Sequence, residues 1–183
     1  PCVKVTDMVL KGMKIGEASG FVSSPVYSSV SGTVMRIEDR TMLNGKTSKC
    51  VVIKNDFEDE CVEGFGISRE VNALSNDEII KIISDSGIVG MGGAGFPTGV
   101  KLSRSCADSS YRFRIIINGS ECEPYLTSDY RLMVERSKDI IEGISIVLRL
   151  FEKAEAIIGI EDNKPKAIDA LSFECNGNNR INV

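Results

Sequence analysis

The chain has 183 residues, of which 42% are hydrophobic, 26% charged and 6% aromatic, enough for one medium or two small domains with a buried core. A formal net charge of -4 supplies no basic field for a phosphate backbone, so nucleic acid is not an expected partner. The chain contains no His, which excludes Ser-His-Asp, Cys-His and His-zinc sites within it and leaves carboxylates, thiols, backbone dipoles or a cofactor to carry any chemistry.

From Pro1 to about Cys61 short β segments alternate with Gly, Ser and Pro: Val3–Val5, Val9–Leu10, Lys14–Ile15, Val30–Ile37 and Val51–Ile53. The pattern predicts a small all-β unit. The acidic, glycine-bearing stretch from Glu58 to Val71 is the expected linker. Ser75 and Glu78 then form a capping box, which opens a helix carrying Ile79, Ile80, Ile82 and Ile83 and ending at Gly87. Arg114–Asn118 reads as a central parallel strand buried on both faces. Ser137 is the expected cap of a helix with the stripe Ile140, Ile144, Val147, Leu148 and Phe151. Ala156–Ile160 is a further buried strand, Pro165 starts a helix to Leu171, and Arg180–Val183 begins another strand. Alternating helix and strand from Ser75 onward predict a three-layer α/β domain with a mainly parallel sheet.

No apolar run approaches the about 18 residues of a membrane span, and no signal-peptide layout opens the chain, so no direct span is expected. A start at Pro1 and a stop within a strand point to a piece of something longer. The six Cys, at positions 2, 50, 61, 106, 122 and 175, lack CxxC spacing and are expected to be reduced and mostly buried, with no metal site among them.

Two segments stand out chemically. Gly87 to Gly95 holds five glycines, which let a backbone turn sharply or admit a flat or charged ligand. A helix N-terminus near Pro97 or Thr98 would add amides suited to a phosphate, and Lys101 a positive charge. The bland alternative is a glycine-rich connection without a ligand. Neither a Walker A motif nor a strand-led GxGxxG is present. Asn118-Gly119-Ser120-Glu121-Cys122-Glu123-Pro124 follows the carboxyl end of a strand, where ligands of open α/β sheets sit. Asn118 and Ser120 can bond a heterocycle edge or ribityl hydroxyls, and Glu121 and Glu123 can reach ribose hydroxyls or a carboxamide, or be solvated acids of a turn. Cys122 between two carboxylates is expected to pack and not to act as a nucleophile.

Gly-Ile-Val-Gly-Met-Gly-Gly-Ala-Gly-Phe-Pro-Thr-Gly-Val-Lys-Leu (87–102) and Ile-Ile-Asn-Gly-Ser-Glu-Cys-Glu-Pro-Tyr-Leu-Thr-Ser-Asp-Tyr-Arg-Leu-Met (116–133) closely resemble the C subunit of Rnf ion-translocating ferredoxin:NAD oxidoreductases. More distantly they resemble the flavin- and NADH-binding subunit of respiratory complex I. The resemblance extends to residues 1–34, similar to the barrel-sandwich domain of the Rnf subunit, related to biotinyl and lipoyl carriers, and to Asp162-Asn163-Lys164-Pro165. It implies a barrel-sandwich domain over 1–70 and an FMN/NADH-binding α/β domain over 71–183, cut short at its C-terminus. FMN would be held by Gly90, Gly92, Gly93, Lys101, Asn118, Ser120 and Glu121. NADH would stack near Phe96 and Glu123, although Phe96 serves equally well as a core anchor. Complex I has an Asp where Ser120 stands, and Thr6-Asp7 replaces the family's usual Gly-Asp turn.

The implied function is an electron-transfer flavoprotein module that exchanges hydride between NAD(H) and FMN. Its electrons would pass to or from 4Fe–4S clusters in the missing C-terminal region and, indirectly, ferredoxin. Its partners would be the other subunits of an Rnf-type complex, peripheral on the cytoplasmic face of the membrane. Cobalamin reductases and proline-reductase-associated electron carriers resemble the same two domains, and a cofactor-free docking subunit is the alternative from another class.

Overall fold

The computed structural model describes residues 1–91, 93–106 and 113–183, the side chains of 104–106 excepted. The chain divides into two compact units, Pro1–Arg104 and Ser105–Val183.

The first unit begins with five antiparallel strands in two small sheets. β1 (Met8–Val9), β4 (Gly32–Thr41) and β5 (Thr47–Asn55) pair in the order β1-β4-β5, and β2 (Lys14–Gly16) pairs with β3 (Val26–Tyr27). The strands β1 to β3 are two or three residues long, and the described strands close no barrel. Val3, Val9, Ile15 and Val34 form the core, with Met13, Ile37, Val51 and Ile53 packed against it. Burying these apolar side chains is the main stabilising contribution of such a small unit.

Val3–Val5 differs from the expected strand. Asp7 accepts the Lys4 amide on its carboxylate (2.8 Å) and donates its own amide to the Lys4 carbonyl (3.2 Å), which turns the chain there and leaves Val3 as a buried anchor. Thr6 sits in that turn at φ +78° and donates its amide to the Val34 carbonyl, in the backbone region that favours glycine. The expected linker is also partly docked. Lys11 and residues 60–62 exchange backbone hydrogen bonds of 2.8 and 3.0 Å.

α1 (Asn76–Asp85) carries the predicted capping box, with Ser75 and Glu78 bonding reciprocally. Of its four isoleucines Ile79 is the buried one. Gly87 ends the helix at φ +69°, and the Tyr27 hydroxyl donates to the Asp85 carbonyl, tying the end of α1 to β3. α2 (Thr98–Cys106) follows the glycine loop.

The second unit is a three-stranded parallel sheet in the order β6-β7-β8, formed by β6 (Arg114–Asn118), β7 (Glu155–Gly159) and β8 (Ile181–Asn182). The helices are α3 (Ser128–Glu135), α4 (Ser137–Arg149) and α5 (Pro165–Glu174). β7 is the central strand, with Ala156 and Ile158 buried. β6 bonds β7 alone, so it is an edge in the described sheet and not the central strand expected. Its Ile115 and Ile117 are half-buried, whereas Ile116 is 73% exposed.

Ser137 does not cap α4. α3 runs into α4 through Arg136, whose amide donates to the Leu132 carbonyl, so Ser137 is already the first helical residue. Ile141, Ile144 and Leu148 form the buried face. Pro165 occupies the first turn of α5 as predicted, and the helix extends to Glu174 with Ala167 and Leu171 fully buried. Arg180 closes the unit, donating to the carbonyls of Ala154 (2.9 Å), Leu148 (3.0 Å) and Phe151 (2.7 Å) and thereby satisfying the C-terminal end of α4.

Candidate functional site

In the first unit the glycine-rich segment is a narrow-necked loop. Thr98 donates its amide to the Ile88 carbonyl and Gly90 to the Phe96 carbonyl, both at 3.0 Å, and Val89 bridges Pro97. The Gly90 amide thus closes the neck. Above the neck Met91, Gly93, Gly95 and Phe96 are exposed, and Gly92 lies outside the described residues.

The glycines of this loop have different physical reasons. Gly95 takes φ +66°, where a side chain is strained. Gly99, just past the loop in α2, allows close packing of α2 on α1, since a Cβ there would collide with the Ser84 hydroxyl and lie 3.2 Å from the Ser84 Cα. Gly90 and Gly93 have neither reason. A Cβ at Gly90 would meet its nearest neighbour at an ordinary 3.9 Å, and one at Gly93 would meet nothing within 4 Å. Their lack of a side chain is not required by any described neighbour. Lys101 lies exposed one turn into α2, whose first turn presents backbone amides without intrahelical partners.

A cleft of about 720 Å³ also borders Ile88, Pro97 and Gly99, on the side lined by Lys14, Tyr27 and Lys81. Its basic groups are paired within it, Lys14 with Glu17 at 2.8 Å and Lys81 with Asp85.

In the second unit the segment after β6 turns on Asn118, whose side-chain carbonyl accepts the Ser120 amide at 3.1 Å. Gly119 is buried and donates its amide to the Gly159 carbonyl at 2.8 Å, holding the segment against the end of β7. Asn118, Ser120, Cys122 and Glu123 are exposed. The exposure of Cys122 corrects its expected packing role, because Gly119 and Glu121 make the inward contacts of this turn. Among the five cysteines whose side chains are described only Cys175 is buried, which also corrects the expectation of mostly buried thiols. Burial pushes the Cys175 thiol up. Tyr125 is fully exposed at φ +65°.

The Glu121 side chain is 4% exposed and is committed to its own chain. One carboxylate oxygen accepts the Asp129 amide (2.7 Å) and the Ser128 hydroxyl (3.3 Å), and the other accepts the Tyr130 amide (3.2 Å). These groups are the first turn of α3, so Glu121 supplies the cap that Thr127 does not. Lys164 lies 3.5 Å from the second oxygen. Burial pushes the Glu121 carboxyl up, but the two amides, the hydroxyl and the ammonium together hold it below the usual carboxylate range. The hydrogen bond to Glu161 holds Lys164 above its ordinary value, and the same bond lowers Glu161.

Sequence reasoning thus named Glu121 for a ligand and missed what holds it. Gly119, Glu161 and Lys164 complete this arrangement; Gly119 and Lys164 stood in the motifs that carry the resemblance without a role, and Glu161 in none. The i, i+3 pair Glu161 and Lys164, beside Pro165 at a helix start, was the available signal.

Residues 83–183, more than half of the chain, match the Nuo51 FMN-binding domain family, and residues 1–58 match the RnfC barrel sandwich hybrid domain. The C subunit of the proton-translocating ferredoxin:NAD(+) oxidoreductase complex of Clostridium ljungdahlii is 44% identical over 93% of this chain and 37% of its own length. The C subunit of the Na(+)-translocating ferredoxin:NAD(+) oxidoreductase complex of Acetobacterium woodii is 38% identical over 100% of this chain and 41% of its own. The C subunit of the ion-translocating oxidoreductase complex of Serratia proteamaculans is 40% identical over 96% of this chain and 25% of its own. The chain therefore spans less than half the length of the curated relatives it matches. It belongs to the Nuo51 FMN-binding domain family, and over nearly its whole length it is similar to the C subunit of ion-translocating ferredoxin:NAD(+) oxidoreductases.

Proposed function

We propose that this chain is the flavin-binding part of an Rnf-type C subunit, which exchanges electrons between NAD(H) and iron–sulfur centres through FMN. The observation that carries the reading is the pair Gly90 and Gly93, glycines without a conformational or packing reason in a loop that resembles the family's flavin loop. Bound FMN would supply the conversion between two-electron and one-electron transfer, chemistry that belongs to the cofactor and not to amino-acid side chains.

The chain's own residues would bind and orient. Gly90, Gly92 and Gly93 would leave room for the ligand's approach, and Lys101 would place a cation in the first turn of α2 for the phosphate. Asn118, whose carbonyl is used on Ser120, offers its NH2 group as a donor, and Ser120 offers its hydroxyl. Glu121 would act by fixing the backbone of this segment. Phe96 and Glu123, both exposed, would meet the nicotinamide nucleotide.

In the same reading a domain boundary would lie near residue 70, which the family matches over 1–58 and 83–183 support, and the parallel sheet would belong to a three-layer domain completed by chain outside this sequence. The 4Fe–4S clusters would lie in that further chain, and the partners would be the other subunits of a membrane complex, with ferredoxin beyond them. No helix among the described residues is long and apolar enough to cross a membrane. A peripheral position on the cytoplasmic face is part of the same proposal. Anaerobic addition of NADH to the FMN-loaded full-length subunit tests the assignment. Bleaching of the flavin absorbance supports it, and a flavin that stays oxidised overturns it.

A further inference from the structure

We propose that Lys164, together with Glu161, is the positioning residue that locks the Asn118–Glu123 segment into its ligand-receiving shape. Both backbone groups of Glu121 are held by these two side chains. Lys164 Nζ donates to the Glu121 carbonyl at 3.1 Å, and the Glu121 amide donates to Glu161 Oε2 at 3.3 Å. Lys164 closes the arrangement at 2.8 Å from the same Glu161 oxygen and 3.5 Å from Glu121 Oε2.

Glu121 is thereby fixed at its amide, its carbonyl and its carboxylate at once. Its neighbours Ser120 and Cys122 inherit that backbone position, as do Asn118 and Glu123 further out. The Lys164 side chain is 16% exposed, so the cation is held largely away from solvent. It lies between two carboxylates whose mutual repulsion it offsets. Without it, two negative charges remain around the amide and carbonyl of Glu121, one of them on a side chain that is 4% exposed. The cheapest relief is to swing the segment outward, because partly buried like charges are costly. A surface pair such as Lys138 and Glu142, 3.9 Å apart and largely exposed, has no comparable hold on the backbone.

The role at the flavin rests on the function proposed above, whereas the hold on the segment stands on these contacts alone. The test uses the full-length subunit, with Lys164→Met and Glu161→Gln measured by amide hydrogen exchange and by FMN titration. Lys164→Met is expected to speed exchange at Asp129 and Tyr130 by about 10-fold or more while β7 keeps its protection, and to weaken FMN binding by a similar factor. Glu161→Gln is expected to give a smaller change of the same pattern, and it decides the matter if Lys164→Met fails to fold. Unchanged exchange at Asp129 and Tyr130, or equal acceleration throughout β7, overturns the positioning role. If wild-type protein binds no FMN, the functional reading falls, and the exchange measurement alone then supports or overturns the hold on the segment. If wild-type protein binds FMN and the variants bind it equally well, the hold has no bearing on the ligand and the proposal is overturned.

Discussion

Replacing Gly119 by Ala puts a methyl group where three neighbours already stand. An ideal Cβ would lie 2.9 Å from Met133 Sδ, 3.0 Å from the Gly159 carbonyl oxygen and 3.3 Å from Ile160 Cγ1. Met133 is buried, so its thioether yields only by displacing what packs on it. The Gly159 oxygen cannot yield independently. It accepts the Gly119 amide at 2.8 Å, and Gly159 is the register partner of Asn118 in the β6–β7 ladder. Overpacking of this kind costs about 1–3 kcal/mol, and stretching that hydrogen bond adds about 1 kcal/mol. Reduced freedom of the unfolded chain returns about 0.4–1 kcal/mol, so the expected net loss is about 1–3 kcal/mol.

Gly143→Ala makes the same change at the surface of α4, where a Cβ meets nothing within 4 Å. It should gain about 0.5–1 kcal/mol from helix propensity alone. Urea unfolding followed by circular dichroism compares the two. The midpoint should fall for Gly119→Ala and rise for Gly143→Ala, and movement in the same direction refutes the reasoning from space around each glycine.

Three other perturbations test separate parts of the account. Thr6→Gly removes a left-handed penalty of about 1–2 kcal/mol and introduces about 0.5–1 kcal/mol of glycine entropy, so stability should rise by about 0.5–1 kcal/mol. A lower urea midpoint contradicts that. Arg180→Met removes three charge-assisted bonds to carbonyls between the last turn of α4 and the start of β7 and should cost about 1.5–3 kcal/mol, read from the same unfolding curve. The lowered carboxyl of Glu121 means that the unfolded chain binds its proton more readily than the folded one. Its contribution to stability is therefore present above the ordinary value of 4.5 and is lost as pH falls through the lowered folded value. Wild type should exceed Glu121→Gln in urea midpoint by a steady margin above that value, with the margin shrinking below it, and a margin that grows on acidification contradicts the cap.

Local signals were readable in the sequence wherever the interacting groups are sequence neighbours. The Ser75–Glu78 capping box, the left-handed Gly87 and the N-terminal Pro165 each act within one helical turn and reappear as expected. α3 was not readable because its cap comes from Glu121, seven to nine residues upstream, which is in turn held by Lys164 43 residues away. The run Arg114–Asn118 announced a strand but not its place in the sheet. Apolarity alone cannot separate a central strand from an edge, and the exposed Ile116 belongs to an edge. The glycine-rich loop was legible as a unit, but its glycines were not. Only the space around each one separates Gly99, needed for contact with Ser84, from Gly90 and Gly93, which no described neighbour requires.

The central claim is that this loop receives a flavin, and Gly93→Val tests it most directly, because a Cβ there meets no described neighbour within 4 Å, so the fold is expected to tolerate the change. FMN fluorescence quenching on titration into the full-length subunit should be strong for wild type and lost for Gly93→Val at unchanged thermal stability. Equal quenching by both proteins, or none by wild type, contradicts the account.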